Sequence, residues 1–139
     1  MDGPVTEHEI LNPPTLPTPS GFSHAVVAAP GRTIYLGGQA AFDASGTLVG
    51  NTVAEQFDQA AGNVVLALEA AGARPEHLVS IQIFVTDVAA YRAALNDLAP
   101  VYRKHFGRHY PAIALFEVSG LFEPRAQVEL VGIAVIPES

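Results

Sequence analysis

The 139-residue sequence has no cysteine, no tryptophan and a single methionine. Without cysteine there is no disulfide framework, no thiolate nucleophile and no cysteine-ligated zinc site. Positive charge is scarce too: seven Lys and Arg stand against fourteen Asp and Glu, for a formal net charge of −7. Nucleic-acid affinity rests on clustered cations, and these seven are scattered, so no nucleic-acid partner is expected. No apolar run reaches the roughly 18 residues that a membrane-spanning helix needs. The opening Met1-Asp2-Gly3-Pro4 is acidic and lacks the basic and then apolar segments of a secretory leader. These features together lead to the expectation of a cytoplasmic protein with no membrane partner. Charged residues make up only 15% of the chain and apolar ones 49%, so part of the surface is expected to be covered by other subunits. The length fits one domain with a real core.

In chain order, Glu7 to Asn12 can form a short edge strand. Pro13, Pro14, Pro17 and Pro19 then forbid helix interior and central strand alike. Residues 1–19 therefore read as a proline-rich arm and 20–139 as the domain. Phe22 to Ala29, the turn Pro30-Gly31-Arg32 and Thr33 to Gln39 read as a hairpin. Thr52 with Glu55 has capping-box spacing. Phe57, Ala60, Ala61, Val64, Val65 and Leu68 recur at helical intervals until Gly72, which predicts a helix over 53–71. Leu78 to Thr86 reads as a strand. Asp87 can cap a second helical segment from Val88 to about Phe106, in which Pro100 must kink or restart the helix, with Asp97 as a second cap.

The remaining stretches are two apolar runs, Tyr110 to Gly120 and Val128 to Ile136, read as neighbouring strands. Pro111 suits a strand start, and Glu129 is a lone carboxylate among aliphatics. The order of elements predicts an α+β chain, with two helices on one face of a mixed sheet and β-α-β neighbours in parallel.

Specific residues join this order. Phe22-Ser23-His24-Ala25-Val26, Tyr35-Leu36-Gly37-Gly38-Gln39, Leu68-Glu69-Ala70-Ala71-Gly72, Phe84-Val85-Thr86-Asp87, Tyr102 to Gly107, Tyr110-Pro111-Ala112, and Val128-Glu129-Leu130 with Ile133-Ala134 resemble the RidA family, also called YjgF/YER057c/UK114. The resemblance spans roughly residues 20 to 136. It implies a chorismate-mutase-like fold, a barrel-like homotrimer, and small-molecule clefts between adjacent subunits. It also implies hydrolysis of enamines and imines such as 2-aminoacrylate. Neither a metal nor a cofactor is expected.

Residue by residue, the resemblance gives Glu129 the role of positioning the hydrolytic water. The substrate-binding positions are Phe22, Gly37, Gly38, Asn96, Ile113, Ala114 and Leu115. Active members carry an arginine after the Pro-Ala pair that grips a substrate carboxylate bidentately. That position is Ile113 here. Phe22 stands where a Tyr is common, and Leu115 where a Cys, Ser or Thr is frequent, so the cleft reads as apolar and 2-aminoacrylate as a poor match.

Each residue also has a plainer reading. Glu129 can act as a general base, line a pocket without chemistry, or serve structure alone. Ile113 and Leu115 fit core or subunit packing equally well. Phe22, Phe42 and Phe116 are either an aromatic wall or core. Gly37-Gly38 either admits a ligand to the backbone or relieves a bend. His8, His24, His77, His105 and His109 show no helical ligand pair, and Ser23-His24 with Asp43 has no nucleophile elbow. Three functions are weighed: a hydrolase of an apolar enamine or imine, a trimer that binds small ligands without changing them, and the ribonuclease activity attached to some names of the resembling family, which the acidic charge and the lack of a basic groove oppose.

Overall fold

A computed structural model describes residues 5–139; the first four residues, read above as part of the arm, lie outside it. The elements are β1 (Glu9–Leu11), β2 (Ala25–Val27), β3 (Gly31–Tyr35), α1 (Val53–Ala70), a 3-10 turn (Pro75–His77), β4 (Leu78–Val85), α2 (Val88–Ala93), α3 (Leu95–Phe106), β5 (Ala112–Glu117) and β6 (Val128–Pro137). The chain is α+β, as its pattern predicts: a four-stranded mixed sheet in the order β3-β6-β4-β5, with α1 and α3 packed together on one face.

The helix starting after Thr52 follows from local chemistry. Thr52 accepts a hydrogen bond from the Glu55 backbone, and Glu55 returns bonds to the backbone of Thr52 and Asn51, so orphan donors of the first turn are satisfied reciprocally. At the far end Gly72 takes φ +78, a left-handed conformation that a side chain would oppose. Between these caps Phe57, Ala60, Ala61, Val64 and Leu68 form one buried stripe. It packs on Leu78, Ile81, Ile83, Val85, Val128, Leu130 and Ala134 of the sheet.

Four expectations are corrected. Residues 22–39 do not form a hairpin: β2 pairs with β1, and β3 pairs antiparallel with β6. The ten-residue β6 offers β3 a five-residue ladder, whereas β2 is only three residues long. The runs around 110–120 and 128–136 are not adjacent either. β4, parallel to β5 and antiparallel to β6, lies between them and takes the central position. Its neighbour β5 is reached through α2 and α3, the parallel β-α-β unit the element order predicts.

The second helical segment breaks at Ala94, not at Pro100. α3 runs through Pro100, and Asp97 lies within its first turn instead of capping it. An acid there still complements the helix dipole. Asp87 does cap α2, accepting from the Ala90 backbone.

Candidate functional site

β6 gives Glu129 its setting. Side chains alternate across the sheet, so Val128 and Leu130 are buried against the helices while half-buried Glu129 faces away from them. Register places Glu129 opposite Phe84, and Phe84 opposite Phe116, so these three share the helix-free face. Phe84 and Phe116 stack with ring centroids 5.6 Å apart.

Gly37 and Gly38 belong to a β-bulge. The Leu36 N–H donates to the Gly132 carbonyl, and Gln39 exchanges both backbone bonds with Leu130, so three steps along one strand oppose two along the other. The extra residue turns the Gly37-Gly38 peptides out of the ladder and leaves their N–H groups without a hydrogen-bond partner among the described residues. A Cβ on Gly38 would collide with Glu129 Oε2 and stand 2.9 Å from its Cδ. The carboxylate thus rests directly on the bulged backbone, which only glycine permits. Glu129 itself makes no hydrogen bond or ion pair among the described residues.

The opposite face holds the other predicted residues. Ile113 and Leu115 point toward the helices and line a cavity of about 650 Å³ together with Phe22. Phe22 is held there because Ser23 bonds to the segment entering β5: its N–H donates to the Pro111 carbonyl at 3.0 Å and its hydroxyl to the Tyr110 carbonyl. Ala114 alternates to the exposed face, beside a shallow groove that Phe22 and Ile113 also reach. Asn96 is exposed in the first turn of α3 and lines neither cavity nor groove. Within one chain, then, Glu129 and Gly38 meet on one side of the sheet, and Phe22, Ile113 and Leu115 meet on the other.

Sequence reasoning missed the helical wall of that cavity. Tyr91, Leu95, Leu98, Ala99, Tyr102 and Arg103 contribute it, and the spacing 95, 98, 99, 102, 103 is the readable signal of one helix face. Tyr102 donates to the His109 carbonyl at 2.6 Å and stacks on Tyr110 at 5.0 Å. Burial pushes the phenols of Tyr102 and Tyr91 above their ordinary range, which keeps both neutral. Among the described residues, no three His, Asp or Glu side chains gather to hold a metal ion, and no helix is long and apolar enough to cross a membrane.

A protein-family model described as Endoribonuclease L-PSP matches residues 15–136. The 2-iminobutanoate/2-iminopropanoate deaminase of Capra hircus is 37% identical over 116 residues, covering 82% of this chain and 79% of that protein. This chain is a member of the RidA family. The human 2-iminobutanoate/2-iminopropanoate deaminase is 33% identical over 114 residues, covering 81% of this chain and 79% of that protein. Among solved structures, a Rid-family protein of unknown function from Yersinia pestis superposes with a TM-score of 0.84 at 31% identity, covering 94% of this chain and all of that one. A YjgF/YER057c/UK114 family member from Mycobacterium tuberculosis superposes at 0.62 with 28% identity, covering 84% and 87%. The Rid fold is thus shared over most of the chain.

Proposed function

We propose that this RidA-family chain assembles as a homotrimer with small-molecule clefts at its subunit boundaries and hydrolyses an apolar enamine or imine. The observation that carries the reading is Glu129, half-buried, unpaired, and resting on a bulge with two unbonded N–H groups. A carboxylate so placed can hold a water and take its proton. The water oxygen adds to the imine carbon, the C–N bond breaks, and nitrogen leaves as ammonia with the protons the water supplied, leaving a carbonyl product. The Gly37 and Gly38 N–H groups would stabilise charge developing at the substrate.

The deaminase names of the relatives support the reaction class. Ile113, where active members carry arginine, supports a substrate other than 2-aminoacrylate. The helix-free sheet face supports assembly: Phe84, Phe116, Val131, Ile133 and Tyr35 lie on it, with Tyr35 79% exposed. A large apolar face of this kind is expected to be covered.

The test is ammonia release from freshly generated 2-aminoacrylate and from bulkier uncharged imines, comparing the natural chain with Glu129→Ala and Ile113→Arg. Turnover of a bulky imine that Glu129→Ala abolishes is the expected result. Equal activity in Glu129→Ala would remove Glu129 from the chemistry. The second reading, binding without turnover, draws on the apolar cavity behind Ile113 and predicts thermal stabilisation by ligand with no product. Light scattering giving 14.6 kDa at micromolar concentration would refute the trimer.

A further inference from the structure

The segment leading into β1 is fastened to the domain through one imidazole, His8, which is 5% exposed. Its Nδ1 accepts a hydrogen bond from the Ala29 N–H at 3.0 Å, in the connection between β2 and β3. Its Nε2 lies 3.0 Å from the His77 carbonyl at the end of the 3-10 turn. A carbonyl can only accept, so Nε2 carries the proton and Nδ1 holds the lone pair. The ring thus joins three segments of the chain, and it does so only while neutral. A second proton would go to Nδ1 and set two N–H donors against each other across 3.0 Å. Thr6 assists, its hydroxyl donating to the Glu76 carbonyl at 2.6 Å and accepting from the His8 N–H at 3.2 Å. Past β1 the fastening is of another kind. Asn12 Oδ1 accepts from the His24 N–H at 2.7 Å, and His24 Nε2 reaches the Pro17 carbonyl at 2.7 Å. An imidazolium still donates from Nε2, so that bond survives acid.

We propose that His8 is an acid-released latch: on taking a proton its ring leaves its place between Ala29 and His77, and residues 5–11 swing away about a hinge at Asn12-Pro13. The three exposed residues of β1 then hold the segment to β2, and so short a ladder is weak alone. Release bares the backbone of Ala25–Val27 as a free strand edge. The ionisable groups around the ring are Glu7 beside it, Arg74, Glu76 and His77 of the 3-10 turn, and His109 in the segment entering β5. Arg74 pairs with Glu76 at 3.2 Å, so its charge is offset. Burial pushes His77 and His109 below the ordinary histidine range, so they add little positive charge there. Ala28 to Gly31 carry no ionisable side chain, and Glu138 meets that connection through its N–H, bonded to the Pro30 carbonyl. The closed form requires a neutral His8 and the released form does not, so opening takes up a proton. Docking is strongest above the ordinary histidine value of about 6.5, and the open fraction rises about tenfold per pH unit below it. The latch does not depend on the hydrolysis proposed above.

The experiment is amide hydrogen exchange on the full chain between pH 7.5 and 5.0, corrected for the intrinsic pH dependence of exchange, with the variants His8→Asn and His109→Gln. In the natural protein, protection of Ala29 and of residues 8–11 should fall about tenfold per pH unit below 6.5, while α1 stays markedly better protected. His8→Asn cannot ionise, so its protection at these positions should be the same at both pH values. His109→Gln should leave the dependence in place. The proposal is overturned if the natural protein shows no change in these amides with pH, if His8→Asn keeps the dependence, or if His109→Gln abolishes it. Equal exchange of α1 and the arm at pH 5.0 would make the loss global unfolding and overturn it too. The ring nitrogen chemical shifts of His8 in the natural protein supply an answer that needs no variant. Protonation of Nε2 alone at pH 7.5, and of both nitrogens as the arm opens, is expected; a proton on Nδ1 at pH 7.5, or a neutral ring in the opened arm, overturns the latch.

Discussion

His109 reaches the carbonyl oxygen of Leu78 with Nε2 across 2.7 Å, joining the segment that enters β5 to the first residue of β4. The imidazole is 3% exposed. Burial pushes its pKa below the ordinary histidine value of 6.5, against the raising effect of the Leu78 bond, and His8 and His77 nearby act in the same direction while Glu76 opposes them.

A pH dependence follows. The folded protein holds His109 neutral more firmly than the unfolded chain does, so the unfolded state takes up protons first as pH falls. The stability this provides is whole above pH 6.5 and is lost as pH drops below it toward the folded value. The loss is at most about 1.4 kcal/mol per pH unit for one such group. Urea unfolding at pH 7.5 and 5.5 should show a lower midpoint at 5.5. His109→Gln, which keeps a side-chain donor but does not titrate, should flatten that difference. An unchanged slope in the variant would assign the acid sensitivity elsewhere, first to His77, whose pKa burial also lowers.

How much of this was legible in advance depends on the range of the interaction. The helix beginning after Thr52 was readable because capping and periodicity are local: Thr52, Glu55 and Gly72 carry their own instructions. The pairing of β3 was not, since the Thr33 register with Val135 joins residues a hundred positions apart and competes with a nearby but short β2. Pro100 misled because a proline in a helix costs a hydrogen bond yet need not end it, and the break fell at Ala94. At the site, the motif around Glu129 and Gly38 was readable, but the bulge that brings them together was not. Arg103 lies inside the Tyr102 to Gly107 motif, but its place in a cavity wall depends on how α3 packs over β4 and β5, which no local pattern carries.

Gly38 should be intolerant of any side chain. Gly38→Ala places a methyl 2.9 Å from Glu129 Cδ, and the carboxylate, at the end of a flexible side chain, must swing away. Stability should change by less than about 1 kcal/mol because both residues lie toward solvent. Turnover of a bulky imine, once a substrate is found, should fall at least tenfold, with the loss in kcat. Full activity in Gly38→Ala would separate the bulge from the chemistry.

The capping box of α1 is expected to be worth a measurable share of stability. Thr52→Ala leaves the Glu55 N–H without its acceptor and should cost about 1 kcal/mol. Thr52→Ser keeps the hydroxyl and should recover most of it. Chemical denaturation of the three proteins side by side checks this, and identical midpoints would show that water satisfies the helix end equally well.

Tyr35 tests what covers the open sheet face. It lies on β3 opposite Ile133 and is 79% exposed in the single chain, so a polar substitution there removes almost no contact within the subunit. Tyr35→Lys should therefore leave helical content intact while placing a charge where a neighbouring copy is proposed to sit. A buried unpaired charge is costly, and the assembly should dissociate toward 14.6 kDa at concentrations where the natural protein stays associated. Leu130→Ala supplies the contrast: Leu130 is wholly buried beneath α1, and its truncation should cost about 2–5 kcal/mol in the subunit's own core. If Tyr35→Lys assembles like the natural chain, subunits meet elsewhere, and a cleft beside Glu129 has to be built from this chain alone.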